Sequence, residues 1–264
     1  MPTDSTDSTD FKENPYTLFI VYHKELYKEN IEGFSEELLN RLKWVAVNEE
    51  IEKTYPSYTE GRLLKEWEMK EFSPIWQMCH WHQNSFFHHL YKNPHLIQTK
   101  YIGFAQYDQK LCPQSFQDLF QVLKDDTADK VIGTFIKSFQ DCCDVFVESE
   151  WVEVFLEPYN KFYFQNHSIY SLKTQPMFFL HTFFIPTWYF FHIMPFIEYI
   201  TPLIIKKLGW GIRHVAGTLE RVYAMCIACG ILEGKFRHVT QFKGIQNCEK
   251  QRLEDTMREI ETSK

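Results

Sequence analysis

The sequence has no excess of positive charge. Its 28 Lys and Arg residues stand against 35 Asp and Glu residues, which gives a formal net charge of -7 at pH 7. Proteins that bind nucleic acid normally present a basic surface to the phosphate backbone. The charge balance therefore argues against nucleic acid as a partner and leaves enzymes and small-ligand-binding proteins as the classes to consider.

The sequence also lacks the signals of an exported protein. Its beginning, MPTDSTDSTD, has neither the basic region nor the apolar run of a signal peptide, so residues 1–14 are predicted to form a disordered tail. The seven cysteines are scattered and odd in number, which is typical of reduced thiols. We therefore expect a cytoplasmic protein.

The sequence has no uninterrupted apolar run long enough to cross a membrane. The most hydrophobic stretch, residues 177–205, contains Pro186, Pro195 and Pro202, and it also contains Glu198. Prolines and a carboxylate are costly within hydrocarbon. We interpret this stretch as a core strand followed by broken, buried helices. Peripheral contact with a membrane surface through its aromatic residues, and hence membrane association, remains open.

What the sequence does contain is an alternation of strand-like and helix-like segments. Predicted strands cover residues 16–22, 44–49, 101–107, 129–136 and 234–244, and predicted helices cover 30–43, 73–91, 113–124 and 213–230. Strands separated by helices favour an α/β fold with a mostly parallel central sheet and helices on both faces. We expect one domain over residues 15–244, followed by a charged helix or tail over 245–264.

Polar residues follow two of these strands at the point where each strand ends. His23 and Lys24 follow the first strand, and Tyr107 and Asp108 follow the third. The carboxyl ends of parallel strands meet at one edge of a sheet, where ligands bind. A carboxylate there suits a divalent metal, and a lysine suits a phosphate. The sequence therefore predicts one shared site at this edge.

Two groups of cysteine and histidine offer a zinc site as an alternative: Cys79, His82 and His89, and the pair Cys226 and Cys229. Structural zinc usually takes paired ligands from turns, whereas both groups lie on predicted helices, which favours packed helix faces. The acidic pair in DCCD, residues 141–144, is a further metal candidate, but an exposed acidic turn explains it equally well.

Five motifs occur in an order that resembles a known family: VYHKELY at 21–27, EFSPIWQ at 71–77, KYIGFAQYD at 100–108, MFFLHTFF at 177–184 and RHVAGTLERV at 213–222. Together they resemble the nucleotide-sugar glycosyltransferases found in bacterial capsular-polysaccharide clusters and in large DNA viruses. Each motif alone has low specificity, whereas five in order are more specific. The resemblance spans roughly residues 16–240.

The resemblance implies a single Rossmann-like domain of the GT-A type. Such an enzyme would move a hexosyl or pentosyl group from a UDP- or GDP-linked donor to a glycan, glycoconjugate or lipid-linked acceptor, assisted by Mn²⁺ or Mg²⁺. The donor-binding residues implied are His23, Lys24, Glu71, Ser73, Tyr107, Asp108, Arg213 and Lys243. His181 and Arg221 are expected on the acceptor side. Lys24, Arg213 and Lys243 are the candidates to neutralise the leaving diphosphate.

Glu220 is the expected catalytic base. If the reaction inverts configuration, a carboxylate must take the proton of the acceptor hydroxyl. Matching the family's Glu-Arg helix points to Glu220 for this role. If the reaction retains configuration, no such base is required and Glu220 would orient the substrate. The sequence leaves both stereochemical outcomes open.

One feature departs from the family pattern. The usual GT-A signature is Asp-x-Asp, whereas Asp108, Gln109 and Lys110 supply a single carboxylate. If a metal is used, we expect Asp108 to bind it together with His238. The missing second aspartate keeps an alternative function open, namely a catalytically silent module that binds a nucleotide sugar or a glycan.

Overall fold

The computed structural model describes residues 14–23, 31–47, 59–78, 83–125, 128–209 and 212–247. Nearly all of the predicted N-terminal tail lies outside these ranges, as do residues 248–264 of the C-terminal segment predicted over 245–264; its first residues, Ile245–Asn247, form a strand and not a helix. The disorder of the tail and the helical nature of residues 248–264 therefore stay predictions.

In the part of the chain that the structure describes, nine strands form two sheets. They are β1 Tyr16–Tyr22, β2 Leu42–Ala46, β3 Leu63–Lys65, β4 Tyr101–Gln106, β5 Gln109–Leu111, β6 Lys130–Lys137, β7 Met177–Pro186, β8 His238–Gln241 and β9 Ile245–Asn247. The central sheet has the order β3-β2-β1-β4-β7-β6-β8, and β5 pairs with β9 in a separate two-stranded sheet. Within the central sheet only β7 runs antiparallel to its neighbours, β4 and β6. The predicted mixed α/β architecture with a mostly parallel central sheet is confirmed.

The helices cover both faces of the central sheet. They are α1 Glu36–Leu39, α2 Pro74–Met78, α3 Gln83–Lys92, α4 Pro113–Lys124, α5 Glu148–Trp151, α6 Glu157–Tyr163, α7 Ile169–Lys173, α8 Thr187–Leu208 and α9 Ile212–Leu232. Side chains of β1 alternate between two cores, because successive residues of a strand point to opposite faces. Phe19 and Val21 pack in the core that α3, α8 and α9 share, and Leu18 and Ile20 pack with α1 and α4.

The predicted helix over residues 30–43 is wrong in most of its length. Ser35 caps a single short turn, α1, by accepting a hydrogen bond from the Leu38 amide at 3.4 Å. Strand β2 begins at Leu42, which pairs with Leu18 of β1. The spacing of Phe34, Leu38 and Leu42 matches a helical period, but pairing with the central strand places Leu42 in the sheet instead.

The apolar run 177–205 begins with β7, as predicted, but the broken helices predicted after it are wrong. A single helix, α8, continues through Pro195 and Pro202. Nine of its side chains are buried in the core, and this packing offsets the cost that proline imposes in a helix interior. The predicted last strand over 234–244 is also shorter, because only β8, His238–Gln241, is extended there.

Two helices are long and apolar enough to cross a membrane by length and composition alone. They are α8 and the Val215–Leu232 part of α9, whose most apolar windows are 50% and 67% buried within the fold. Core helices of soluble proteins pass the same test. On its outer face α8 exposes Trp188, Tyr199 and Leu203. The expectations that residues 177–205 do not span a bilayer and that this segment could touch a membrane surface both stay predictions.

Candidate functional site

A cavity of about 190 Å³ opens beside the ends of β1 and β4. Its polar and aromatic lining comprises His23, Gln83, Asn84, Gln106, Tyr107, His181 and Glu220. These side chains come from β1, β4, β7, α3 and α9, or from the residues directly after those strands. The cavity therefore lies at the carboxyl ends of parallel strands, where α/β proteins bind their ligands.

The residues that follow β1 and β4 lie side by side at this cavity. His23 directly follows β1 and Tyr107 directly follows β4, and their ring centroids are 4.9 Å apart at an interplanar angle of 77°. Strands β1 and β4 are parallel neighbours, with Val21 paired to Gln106, so both chains leave the sheet at the same edge. Asp108 follows Tyr107 in the turn before β5. Lys24 lies outside the described residues.

Glu220 brings a carboxylate to the cavity from α9. Its Oε1 accepts a hydrogen bond from the Leu180 amide at 3.2 Å, and its side chain is largely buried. Burial raises the pKa of Glu220 above its ordinary value, while the Leu180 N–H and the Arg221 charge oppose that rise. A carboxylate with a raised pKa holds protons more readily, which is the property required of a general base.

His181 contributes a buried imidazole to the same cavity. Only 4% of the residue is exposed, and its ring packs edge-on between Phe87 and Tyr223. Burial, with a smaller contribution from Arg221, lowers the pKa of His181 to about 3, so the imidazole is neutral near pH 7. Its Nε2 makes no hydrogen bond to any described residue. This nitrogen is buried, so a ligand hydroxyl pairs with it only if a neighbouring side chain shifts.

Arg221 is turned away from the cavity. Its guanidinium donates to both carboxylate oxygens of Asp144, with an Nε to Oδ1 distance of 2.8 Å. A third bond, from Nη1 to the Gly217 carbonyl, measures 2.7 Å. Asp144 belongs to the acidic turn that was a metal candidate in the sequence. In the described structure this carboxylate holds Arg221, which fastens the turn to α9.

The backbone amides of Glu71 and Ser73 belong to a hydrogen-bond network away from the cavity lining, in which His89 and Asn93 are buried. The Ser73 amide donates to His89 Nε2 at 3.0 Å, so the imidazole proton lies on Nδ1, which is 2.6 Å from Glu66 Oε1. The Glu71 amide donates to the Asn93 side chain at 3.1 Å. The side chain of Glu71 is exposed. These contacts fix the start of α2 against α3.

The predicted metal pair of Asp108 and His238 is wrong, because the two residues lie at opposite edges of the sheet. His238 starts β8 opposite Lys130, the first residue of β6, whereas Asp108 follows the carboxyl end of β4. The eight residues of β6 separate these edges by a rise of roughly 3.3 Å each. The sequence did not show that β8 is the outermost strand of the central sheet and that it pairs in parallel with β6.

The part of the chain that the structure describes contains no group of three His, Cys, Asp or Glu side chains able to hold a metal ion. The described residues therefore supply no ligand set for a divalent cation at Asp108. For zinc, Cys79 and His82 lie outside the described residues. Cys226 and Cys229 are fully buried in α9, where burial raises the pKa of both thiols.

Of the two remaining cationic candidates, Lys243 does not line the cavity. Lys243 is exposed in the turn between β8 and β9. Arg213 belongs to the first turn of α9, and its side chain lies outside the described residues.

The sequence analysis missed three amides of the lining: Gln83, Asn84 and Gln106. Gln106 carried a detectable signal, because it is the polar residue that ends the apolar strand YIGFAQ. Gln83 and Asn84 fall within a predicted helix, where their spacing gives no sign that α3 points its first turn into a cavity. All three offer both donors and acceptors, the combination that sugar hydroxyls require.

Comparison with known proteins supports the fold. No protein-family model matches the chain, and a search of curated proteins gave no match. Among solved structures, the chain is similar to the apo structure of WbbM, described as a bifunctional glycosyltransferase, with a TM-score of 0.59 and 11% sequence identity. The match covers 88% of this chain but 45% of that one. At this identity the likeness shows a shared fold, consistent with a GT-A-like architecture, over less than half of the larger protein.

Proposed function

We propose that this protein is a glycosyltransferase that moves a sugar from a UDP- or GDP-linked donor to a glycan, glycoconjugate or lipid-linked acceptor. The observation that carries the proposal is the Glu220 carboxylate, fixed by the Leu180 amide within a cavity at the carboxyl edge of the sheet. The fold likeness to a bifunctional glycosyltransferase supports it.

The chemistry of the cavity suits a sugar ring. Its volume of about 190 Å³ is below the roughly 300–1,000 Å³ typical of sites for drug-sized ligands. Its lining combines the amides of Gln83, Asn84 and Gln106 with a neutral imidazole and one carboxylate. These groups can donate to and accept from several hydroxyls at once, and they present no described cation to a phosphate.

In the proposed reaction Glu220 takes the proton of the acceptor hydroxyl while that oxygen attacks the anomeric carbon. The raised pKa of Glu220 favours this role, because a base works best when its pKa approaches the operating pH. His181 binds a hydroxyl through Nε2. This assignment applies to an inverting reaction; in a retaining reaction Glu220 would orient the substrate instead.

The leaving nucleoside diphosphate is proposed to lie beyond the strand tips, towards His23, Tyr107 and Asp108. Lys24 is the proposed cation that neutralises its growing negative charge. A divalent ion, when bound, would supply the same neutralisation. The described residues provide no ligand set for such an ion.

A thermal-shift screen of nucleotide sugars, with and without Mn²⁺, tests the proposal. We expect at least one UDP- or GDP-linked sugar to raise the melting temperature, because a ligand that binds only the folded state stabilises it. We also expect slow release of the nucleoside diphosphate, through donor hydrolysis. If no nucleotide sugar shifts the melting temperature and none is consumed, the proposal is refuted.

A catalytically silent module of the same fold is the second candidate. The single carboxylate in Asp108-Gln109-Lys110 favours it, as does the lack of a three-ligand group among the described residues. Such a module would show donor stabilisation without donor hydrolysis and without transfer to any acceptor. The screen therefore separates the two candidates.

A further inference from the structure

Strand β7 contains a bulge beside the cavity. Phe179 pairs with Phe135 of β6 and Phe183 pairs with Gly133, so three β7 residues, 180–182, stand opposite the single residue between those partners. Leu180 and His181 have φ angles of 58° and 46°. Residues other than glycine rarely adopt this left-handed conformation, and when they do it often marks a functional site.

At the bulge the backbone N–H and C=O groups of Leu180 do not bond to the backbone of a neighbouring strand. Side chains form hydrogen bonds with these groups instead. The Leu180 amide donates to Glu220 Oε1 at 3.2 Å. The Leu180 carbonyl accepts from Gln106 Nε2 at 3.1 Å and from Thr182 Oγ1 at 2.8 Å. Buried backbone groups need such partners. The conformation is therefore held by specific side chains and is not imposed by glycine.

Gln106 is the centre of this arrangement. Its Nε2 also donates to Gln83 Oε1 at 3.2 Å, and Gln83 Nε2 reaches the His181 carbonyl at 3.4 Å. The backbone N–H of Gln106 donates to Gln109 Oε1 at 2.9 Å, and Gln109 Nε2 donates to Thr182 Oγ1. The side chain of Gln106 thus joins Leu180 to α3 directly and reaches the His181 carbonyl through Gln83, while its backbone N–H bonds to Gln109 of β5.

The bulge has a direct consequence for the cavity. It aims the Leu180 N–H at the Glu220 carboxylate and brings the His181 imidazole, the next residue, into the same lining. A regular strand would send successive side chains to opposite faces of the sheet. The relative placement of the carboxylate and the imidazole therefore depends on the bulge.

We propose that Gln106 is a positioning residue, which holds the Leu180–His181 bulge so that Glu220 and His181 face one sugar ring together. This inference rests on the proposed function. Gln106 acts through the two residues that it positions and through Gln83.

The test compares Gln106→Met with Gln117→Met. Methionine keeps the length of glutamine and removes its hydrogen bonds, and Gln117 is an exposed residue of α4 on the other face of the sheet. The first readout is the titration of the His181 imidazole by NMR, assigned through the signal lost in His181→Phe. In the wild type we expect a pKa of about 3. In Gln106→Met, release of the bulge should move the pKa towards the ordinary value of about 6.5, and Gln117→Met should match the wild type.

The second readout is calorimetric binding of UDP-glucose and GDP-mannose. Gln106→Met should weaken binding of whichever donor the wild type accepts by about tenfold, the effect of one good hydrogen bond. An unchanged His181 titration, or a shifted titration with unchanged affinity, overturns the positioning role. If the wild type binds no nucleotide sugar at all, the proposed function fails, and the imidazole titration then decides the role of Gln106 by itself.

Discussion

Replacing Glu220 by glutamine separates the chemistry of this side chain from its structural role. Glutamine has the same shape, and its Oε1 can still accept the hydrogen bond that the Leu180 amide donates at 3.2 Å. It cannot take a proton at neutral pH. For an inverting enzyme we therefore expect kcat to fall by roughly 10²–10⁴-fold while donor affinity is kept. The assay is release of nucleoside diphosphate in the presence of acceptor.

The same variant makes a prediction about stability. Burial raises the folded-state pKa of Glu220 above the ordinary value of 4.5, so the ionised form is less favourable in the folded protein than in the unfolded chain. The contribution of Glu220 to stability is complete below its unfolded pKa and is lost as the pH rises through its folded pKa. Glutamine does not titrate. The melting temperature of Glu220→Gln relative to wild type should therefore increase from about pH 4 to about pH 8.

Glu66→Gln is the matched control for a buried glutamate outside the cavity. Glu66 is fully buried and accepts a hydrogen bond from Ser85 at 2.7 Å and from His89 at 2.6 Å. We expect this variant to lose about 1–3 kcal/mol of stability and to keep activity in proportion to folded protein. A Glu220→Gln variant that folds normally and transfers sugar at the wild-type rate would refute the catalytic assignment.

Three further experiments with substituted proteins test the packing of the sheet, the Arg221–Asp144 ion pair and the role of His181. A Cβ at Gly103 would lie 2.2 Å from a ring carbon of Phe184, so Gly103→Ala should cost about 1–3 kcal/mol in urea unfolding. A double-mutant cycle of Arg221→Met and Asp144→Asn should give a coupling energy of about 1 kcal/mol or less, because Asp144 is more than half exposed. We expect both variants to keep the donor affinity of the wild type. His181→Phe should keep the fold but raise KM about tenfold by losing a hydrogen bond to substrate, and an unchanged KM would remove His181 from the site.

The sequence predicted the features that depend on pairing between neighbouring strands. The apolar segments gave β1, β4 and β6, and parallel pairing of β1 with β4 follows from the helices between them. The meeting of His23 with Tyr107 at one edge is a consequence of that pairing. No knowledge of side-chain packing was needed for this part of the cavity.

The sequence could not predict features that depend on distant contacts. The ion pair of Arg221 with Asp144 joins residues 77 positions apart, and no motif or spacing in the sequence connects them. The bulge at Leu180 and His181 contains no glycine, and His181 and Thr182 are consecutive polar residues within the apolar run MFFLHTFF, so no alternating pattern marks it. The side chain of Gln106, which bonds to the Leu180 carbonyl, belongs to another strand.

A crystal structure with a nucleotide sugar bound tests the central claim most directly. We expect the sugar ring to occupy the cavity, with one hydroxyl within hydrogen-bonding distance of the Glu220 carboxylate and another near His181 Nε2, and with the diphosphate towards His23 and Tyr107. A nucleotide sugar bound with its sugar ring outside this cavity, at saturating concentration, would contradict the account.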